Sequence, residues 1–213
     1  MKGLTLAAAA AGWFCLAPNL VLASTWEIDP SHSSVEFQVR HLMVTTVKGS
    51  FEKLKGTIEL NDKDITKSSV DVTVETASVN THEPRRDGHL RSADFFDAEK
   101  FPVATFKSTK VERAGKDKLK VTGDLTIHGV RKPVVLMVDG PSAALKDPFG
   151  RTVRGLSAKG KLNRKDYGIN WNKTLDAGGV MVGDEVKLEI SAELAEKTAP
   201  AAAEANKAEP ARQ

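Results

Sequence analysis

The chain has 213 residues, with 31 basic against 28 acidic side chains and a formal net charge of +3. Its charges are interspersed, whereas a nucleic-acid surface calls for a basic stripe with exposed aromatics, so no nucleic-acid partner is expected. Cys15 is the single cysteine and falls in an N-terminal leader, so the body is expected to have neither a disulfide framework nor a thiol nucleophile.

Lys2 precedes an apolar run from Leu4 to Leu16, and Val21-Leu22-Ala23 follows. A positive start, an apolar stretch and a small-residue cleavage site predict a signal peptide over 1–23 and export. The run is too short to span a bilayer comfortably, and Phe14 before Cys15 does not fit a lipoprotein site. A single domain is expected over 24–195. The segment 196–213 holds Ala, Glu, Lys and Pro with no large apolar residue, so it is expected to be a disordered tail.

Within the body, Trp26-Glu27-Ile28-Asp29-Pro30 opens a strand that Pro30 interrupts. Val35, Phe37 and Val39 then alternate with polar residues, the period-two signature of a strand with one wet face. Phe51, Leu54, Ile58 and Leu60 continue the pattern, and Val70, Val72 and Val74 repeat it after a turn at 61–64. Leu119, Val121, Gly123, Leu125 and Ile127 form another apolar face. His128-Gly129 reads as a hairpin turn, with Val134–Val138 returning. The segment 147–150 is a further turn. The segment 178–183 is Gly-rich and leads into a strand, so it reads as a loop rather than a phosphate cradle. Leu156, Ala158, Gly160 and Leu162, then Val186, Leu188, Ile190, Ala192 and Leu194, complete the set. The small residues Gly123, Ala158, Gly160 and Ala192 on inward faces are expected to leave internal room.

Between the early and late strands lies 85–107, with Arg86, Asp87 and His89 beside Leu90, Phe95, Phe96, Phe101 and Phe106. Asp87 is expected to cap a short helix over His89–Phe96, with Arg86 pairing to Asp87. Pro102 returns the chain to extended structure. About eight strands with short connections predict an all-β fold, an antiparallel sandwich or barrel. Strands with one wet face fit a closed single sheet, an eight-stranded antiparallel barrel with a short helical plug.

Three kinds of function fit that outline. A metal- or His-assisted enzyme would assemble Arg86, Asp87, His89 and His128 at the barrel rim, with Asp94 in reach. The five histidines show no close ligand spacing, so no metal site is expected. No nucleophile elbow, paired carboxylates or phosphate loop is present, so catalysis is not expected. A filled barrel would serve only protein interaction. A binding barrel would hold a long, weakly polar guest, for which burying about ten methylenes is worth on the order of 8 kcal/mol, roughly micromolar affinity before entropy costs.

The runs Trp26-Glu27-Ile28-Asp29-Pro30 with His32-Ser33, Gly49-Ser50-Phe51, Arg86-Asp87-Gly88-His89-Leu90, Asp94-Phe95-Phe96-Asp97 with Phe101-Pro102, Leu125-Thr126-Ile127-His128-Gly129-Val130 and Arg164-Lys165-Asp166-Tyr167-Gly168-Ile169 follow one another from Thr25 to Leu194. In that order they resemble the YceI-like family of polyisoprenoid-binding, lipocalin-like periplasmic proteins. The resemblance implies a barrel with an apolar tunnel that binds an isoprenoid quinone or polyprenyl phosphate without a covalent bond. It implies no catalytic motif and no cofactor beyond the bound lipid. On this chain Leu90, Phe95, Phe96, Phe101 and Phe106 would close or line the tunnel. Val35, Phe37, Val39, Phe51, Val72, Leu125, Ile127, Leu156 and Leu188 would form its wall, and Arg86, His89 and His128 would meet the polar head. The partners expected are the lipid, a membrane touched in passing during exchange, and a second copy in a homodimer.

Overall fold

The computed structural model describes residues 23–176 and 178–197. The expected signal peptide, apart from Ala23, and the expected tail beyond Lys197 lie outside the described residues.

Twelve strand segments follow in chain order: β1 (Ser24–Ile28), β2 (Ser34–His41), β3 (Thr45–Phe51), β4 (Leu54–Leu60), β5 (Ser69–Glu75), β6 (Val79–Asn80), β7 (Val103–Arg113), β8 (Lys118–Ile127), β9 (Val130–Asp139), β10 (Leu145–Lys146), β11 (Thr152–Asn163) and β12 (Val182–Glu196). One α-helix, α1 (Pro84–Arg91), precedes β7. All strand pairings are antiparallel. They close a ring of eight, β11-β9-β8-β7-β5-β4-β1-β12 and back to β11. β2 continues the line of β1, β3 that of β4 and β6 that of β5, because β12 pairs with β1 near its end and with β2 near its start. The eight-stranded antiparallel barrel read from the sequence is therefore the fold, although three of its positions are broken. Pro30 starts a 3-10 turn between β1 and β2, Glu52-Lys53 separates β3 from β4, and a 3-10 turn at Thr76–Ser78 separates β5 from β6.

Apolar residues at every second position place one face of each strand inside the ring. Two packed walls result. Trp26, Ile28, Leu54, Ile58, Leu60, Val74, Ala192 and Leu194 form one, and Phe106, Val111, Leu119, Val121, Val134, Val138, Ala158 and Tyr167 form the other. The β8–β9 hairpin turns at His128-Gly129 as expected, with φ of 51° and 75° at the two turn residues.

The plug differs from its expected form. The helix starts at Pro84, not His89, and Glu83 rather than Asp87 is its cap, accepting from the Arg85 and Arg86 amides at 3.2 and 2.6 Å. Glu83-Pro84 is the stronger start signal, since proline presets φ at the first helical position and needs no donor there. Asp87 instead points inward, and Arg86 and Asp87 do not pair with each other. Both converge on buried Thr81, whose amide and hydroxyl donate to Asp87 Oδ1 at 2.8 and 2.5 Å. Arg86 Nε donates to the same hydroxyl at 2.7 Å and Arg86 Nη2 to the Thr81 carbonyl at 2.9 Å. Arg91 donates to the Ala77 and Val79 carbonyls, which fixes the helix across the β6 end of the barrel.

Candidate functional site

The interior between the two walls holds two apolar chambers. The upper, about 170 Å³, lies between β1, β4 and β5 on one side and β7, β8, β9 and β11 on the other. The lower, about 300 Å³, lies at the α1 end and is lined by β2, β3, α1, the turns after α1 and the segment 162–188. Val35, Val74, Ala104, Leu125 and Leu188 line both chambers and so form a waist between them.

Most residues picked from the sequence fall on these walls. Phe37, Val39, Phe51, Ile127, Arg86, His89, Leu90, Phe95 and Phe96 line the lower chamber. Val72, Phe106 and Leu156 line the upper one. Val35, Leu125 and Leu188 sit at the waist. Phe101 and His128 line neither chamber. Their rings pack on each other at 4.6 Å beside the β8–β9 turn. Phe101 is held there because its carbonyl accepts from Thr76 Oγ1 at 2.7 Å while Pro102 accepts from the Thr76 amide. The inward glycines are not free room either. A Cβ on Gly123 would stand 2.5 Å from Phe106 Cζ, and one on Gly160 would stand 2.6 Å from Leu136 Cδ2. Each of these two glycines admits a neighbouring large side chain, whereas Ala158 and Ala192 do line the upper chamber, as expected.

The lower chamber's mouth is aromatic and basic. His89 meets Trp171 edge-on at 4.8 Å and Phe95 at 5.0 Å, while Phe96 meets Phe51 at 5.5 Å. Arg40, His41, Arg86 and Met181 complete the lining. His89 Nε2 is 2.8 Å from Asp94 Oδ2, with both side chains about half-exposed. The expected rim group of Arg86, Asp87, His89 and His128 does not form: the first two bind Thr81, His89 binds Asp94 and His128 stacks on Phe101. Among the described residues, Asp29, His32 and Glu193 are the one trio of potential cation ligands. The Arg151 guanidinium already lies there, 3.1 Å from Asp29 Oδ2.

Several residues not picked from the sequence also line the lower chamber, among them Arg40, Val47, Arg164 and three that share a pattern. Tyr167, Ile169 and Trp171 alternate with Gly168, Asn170 and Asn172, a period-two signal beyond the last assigned residue of β11. Arg164 lines the lower chamber with its side chain 5% exposed. It donates to the carbonyls of Ile169, Trp171, Val182 and Gly183 and to Asp184 Oδ1 at 2.8–3.3 Å. Burial lowers its pKa from the usual arginine value, opposed by Asp184. Burial also pushes the Tyr167 phenol up to about 12, with a smaller push from Asp166.

A closed barrel around an apolar, two-chambered interior with a basic aromatic mouth can take up a long apolar molecule with one polar end. Known proteins agree with that geometry. A family model, the YceI-like domain, matches residues 26–194. The UPF0312 protein SAS2572 of Staphylococcus aureus strain MSSA476 is 39% identical over 170 residues, 80% of this chain and 96% of that one. A solved YCEI protein of Campylobacter jejuni is 35% identical, with a TM-score of 0.63 over 75% of this chain and 90% of that one. A polyisoprenoid binding domain from Saccharophagus degradans, implicated in plant cell wall breakdown, shares the fold at 18% identity. Its TM-score is 0.58 over 83% of this chain and 99% of its own. With most of its length matched by the family model and by these relatives, the chain belongs to the YceI-like domain family.

Proposed function

We propose that the protein is an exported, non-catalytic binder that stores or carries a long isoprenoid lipid in its barrel. The lipid would be an isoprenoid quinone or a polyprenyl phosphate. The observation that carries this reading is the pair of apolar chambers sharing one waist, since a guest in both must be long, narrow and almost wholly apolar. The polyisoprenoid binding domain from S. degradans supports the lipid class. The head belongs at the lower mouth, where Arg86 and His89 border the chamber and can donate hydrogen bonds to a carbonyl or phosphate. The hydrophobic effect supplies the affinity and the mouth the selectivity.

Native mass spectrometry of protein purified from its own exported compartment, with organic extraction of any adduct, tests this directly. A stoichiometric isoprenoid is the expected result. Phe96→Asp places an unpaired carboxylate in the lower lining, a cost of several kcal/mol for an apolar guest, and should abolish the adduct while Phe96→Leu keeps it. A folded Phe96→Asp protein that carries full lipid would sink the assignment of the chamber as the site.

A further inference from the structure

The β2–β3 hairpin ends in Leu42-Met43-Val44, with Met43 52% and Val44 77% exposed. A hairpin tip in water ordinarily takes Asn, Asp or Gly. Here Leu42 and Met43 hold φ of 50° and 59°, a left-handed backbone that side-chain-bearing residues rarely adopt, and all three tip residues are apolar. The tip is joined to the mouth of the lower chamber. The Leu42 amide donates to the Met181 carbonyl at 2.8 Å, and the Met181 amide to the Lys173 carbonyl at 2.9 Å. Met181, Trp171, His41 and Arg40 line that chamber.

From this continuity we infer that the tip is a membrane-contact device, which dips into the surface of an anionic lipid bilayer so that the isoprenoid passes between bilayer and chamber. The inference rests on the proposed lipid-binding function. Three features favour a bilayer over a protein partner. The apolar patch is a single short tip, far below the roughly 1,200 Å² of a specific protein interface. Exposed Arg40 and Lys173 flank it, as cations flank segments lying at the headgroup level of anionic membranes. Trp171, beside the mouth, is the residue type enriched at the same depth. So few inserted side chains give a weak, reversible contact, as exchange requires.

The test uses delipidated full-length protein, a Met43→Ser/Val44→Ser double variant, and an isoprenoid quinone delivered either in detergent micelles or in phosphatidylcholine–phosphatidylglycerol vesicles. The variant should take up micellar quinone to the same extent but extract it from vesicles about tenfold more slowly. Equal extraction rates overturn the inference. Flotation with quinone-free vesicles reads the contact without any cargo. If the unmodified protein takes up neither quinone nor, in a parallel assay, a polyprenyl phosphate from either source, the proposed function fails. Flotation then decides the contact alone: binding lost in the double variant sustains it, and no binding by the unmodified protein overturns it. Concentration-dependent dimerisation abolished in the double variant would assign the tip to a second copy instead, and would also overturn it.

Discussion

Tyr167 is the only tyrosine in the chain, so a spectroscopic titration reads it without interference. Its ring is 2% exposed in the wall shared by β8, β9 and β11, and burial disfavours the phenolate. Tyrosinate absorbance should therefore rise with a midpoint near 12 rather than near the ordinary 10. The sign of the linked stability change follows. Below pH 10 both folded and unfolded forms are neutral and nothing changes. Between 10 and 12 the unfolded chain ionises first, so stability falls with pH, by on the order of 2 kcal/mol at the top of that window. A midpoint near 10 would place the phenol in water. Gly49 makes a second residue-scale case. Its missing Cβ would lie 2.5 Å from Phe37 Cζ and 2.7 Å from Thr81 Cγ2, so the Phe37 ring occupies the side chain's space. Gly49→Ala should cost about 1–3 kcal/mol in urea unfolding. Part of that cost should be relieved in a Phe37→Leu background, because the clash is shared between the two positions. Equal costs in both backgrounds would show that the ring is not the obstacle.

Among the elements, the segment between β11 and β12 depends on one side chain more than on its own pairing. Arg164 gathers four carbonyls and Asp184 around a single guanidinium, and three of the carbonyl-bearing residues, Ile169, Trp171 and Val182, line the lower chamber. Arg164→Ala leaves these acceptors without their donor and should cost about 3–5 kcal/mol. Arg164→Lys should recover little, since one ammonium cannot reproduce the planar fork. Hydrogen exchange should show protection lost first in 168–184; unchanged protection there would make Arg164 dispensable. Nothing in the sequence announces this role, because backbone carbonyls leave no residue signature. The strands were legible for the opposite reason. Val35-Phe37-Val39 and Leu188-Ile190-Ala192 carry their inward face in period two, and closure follows once every strand has one dry face. The helix start differs from the expected one because Glu83-Pro84, just upstream of Asp87, supplies a stronger cap signal than Asp87 does. The place of Phe101 is not legible in sequence, because an aromatic residue has the same pattern whether it lines an apolar interior or packs on a turn outside it.

At the scale of the molecule, the barrel departs from ordinary close packing. A void like the 300 Å³ lower chamber, created in a packed core, would cost about 7 kcal/mol at about 24 cal/mol per Å³, comparable with the whole stability of a domain. A guest would remove that burden and gain its own burial, so loading and stability should be coupled. Isoprenoid at a free concentration about a hundredfold above its dissociation constant should add about 2.7 kcal/mol to unfolding. The waist gives the sharper test, because its residues line both chambers. Ala104 lies there on β7, opposite Val74, and lines both. Ala104→Leu puts three more carbon atoms into the constriction. Without ligand it should raise stability by about 0.5–2 kcal/mol as a cavity-filling change. With ligand it should retain isoprenoids short enough for the lower chamber and lose the longer ones, whose tails must pass the waist. Undiminished uptake of the longest chain would mean that the guest does not run through the barrel from one chamber to the other.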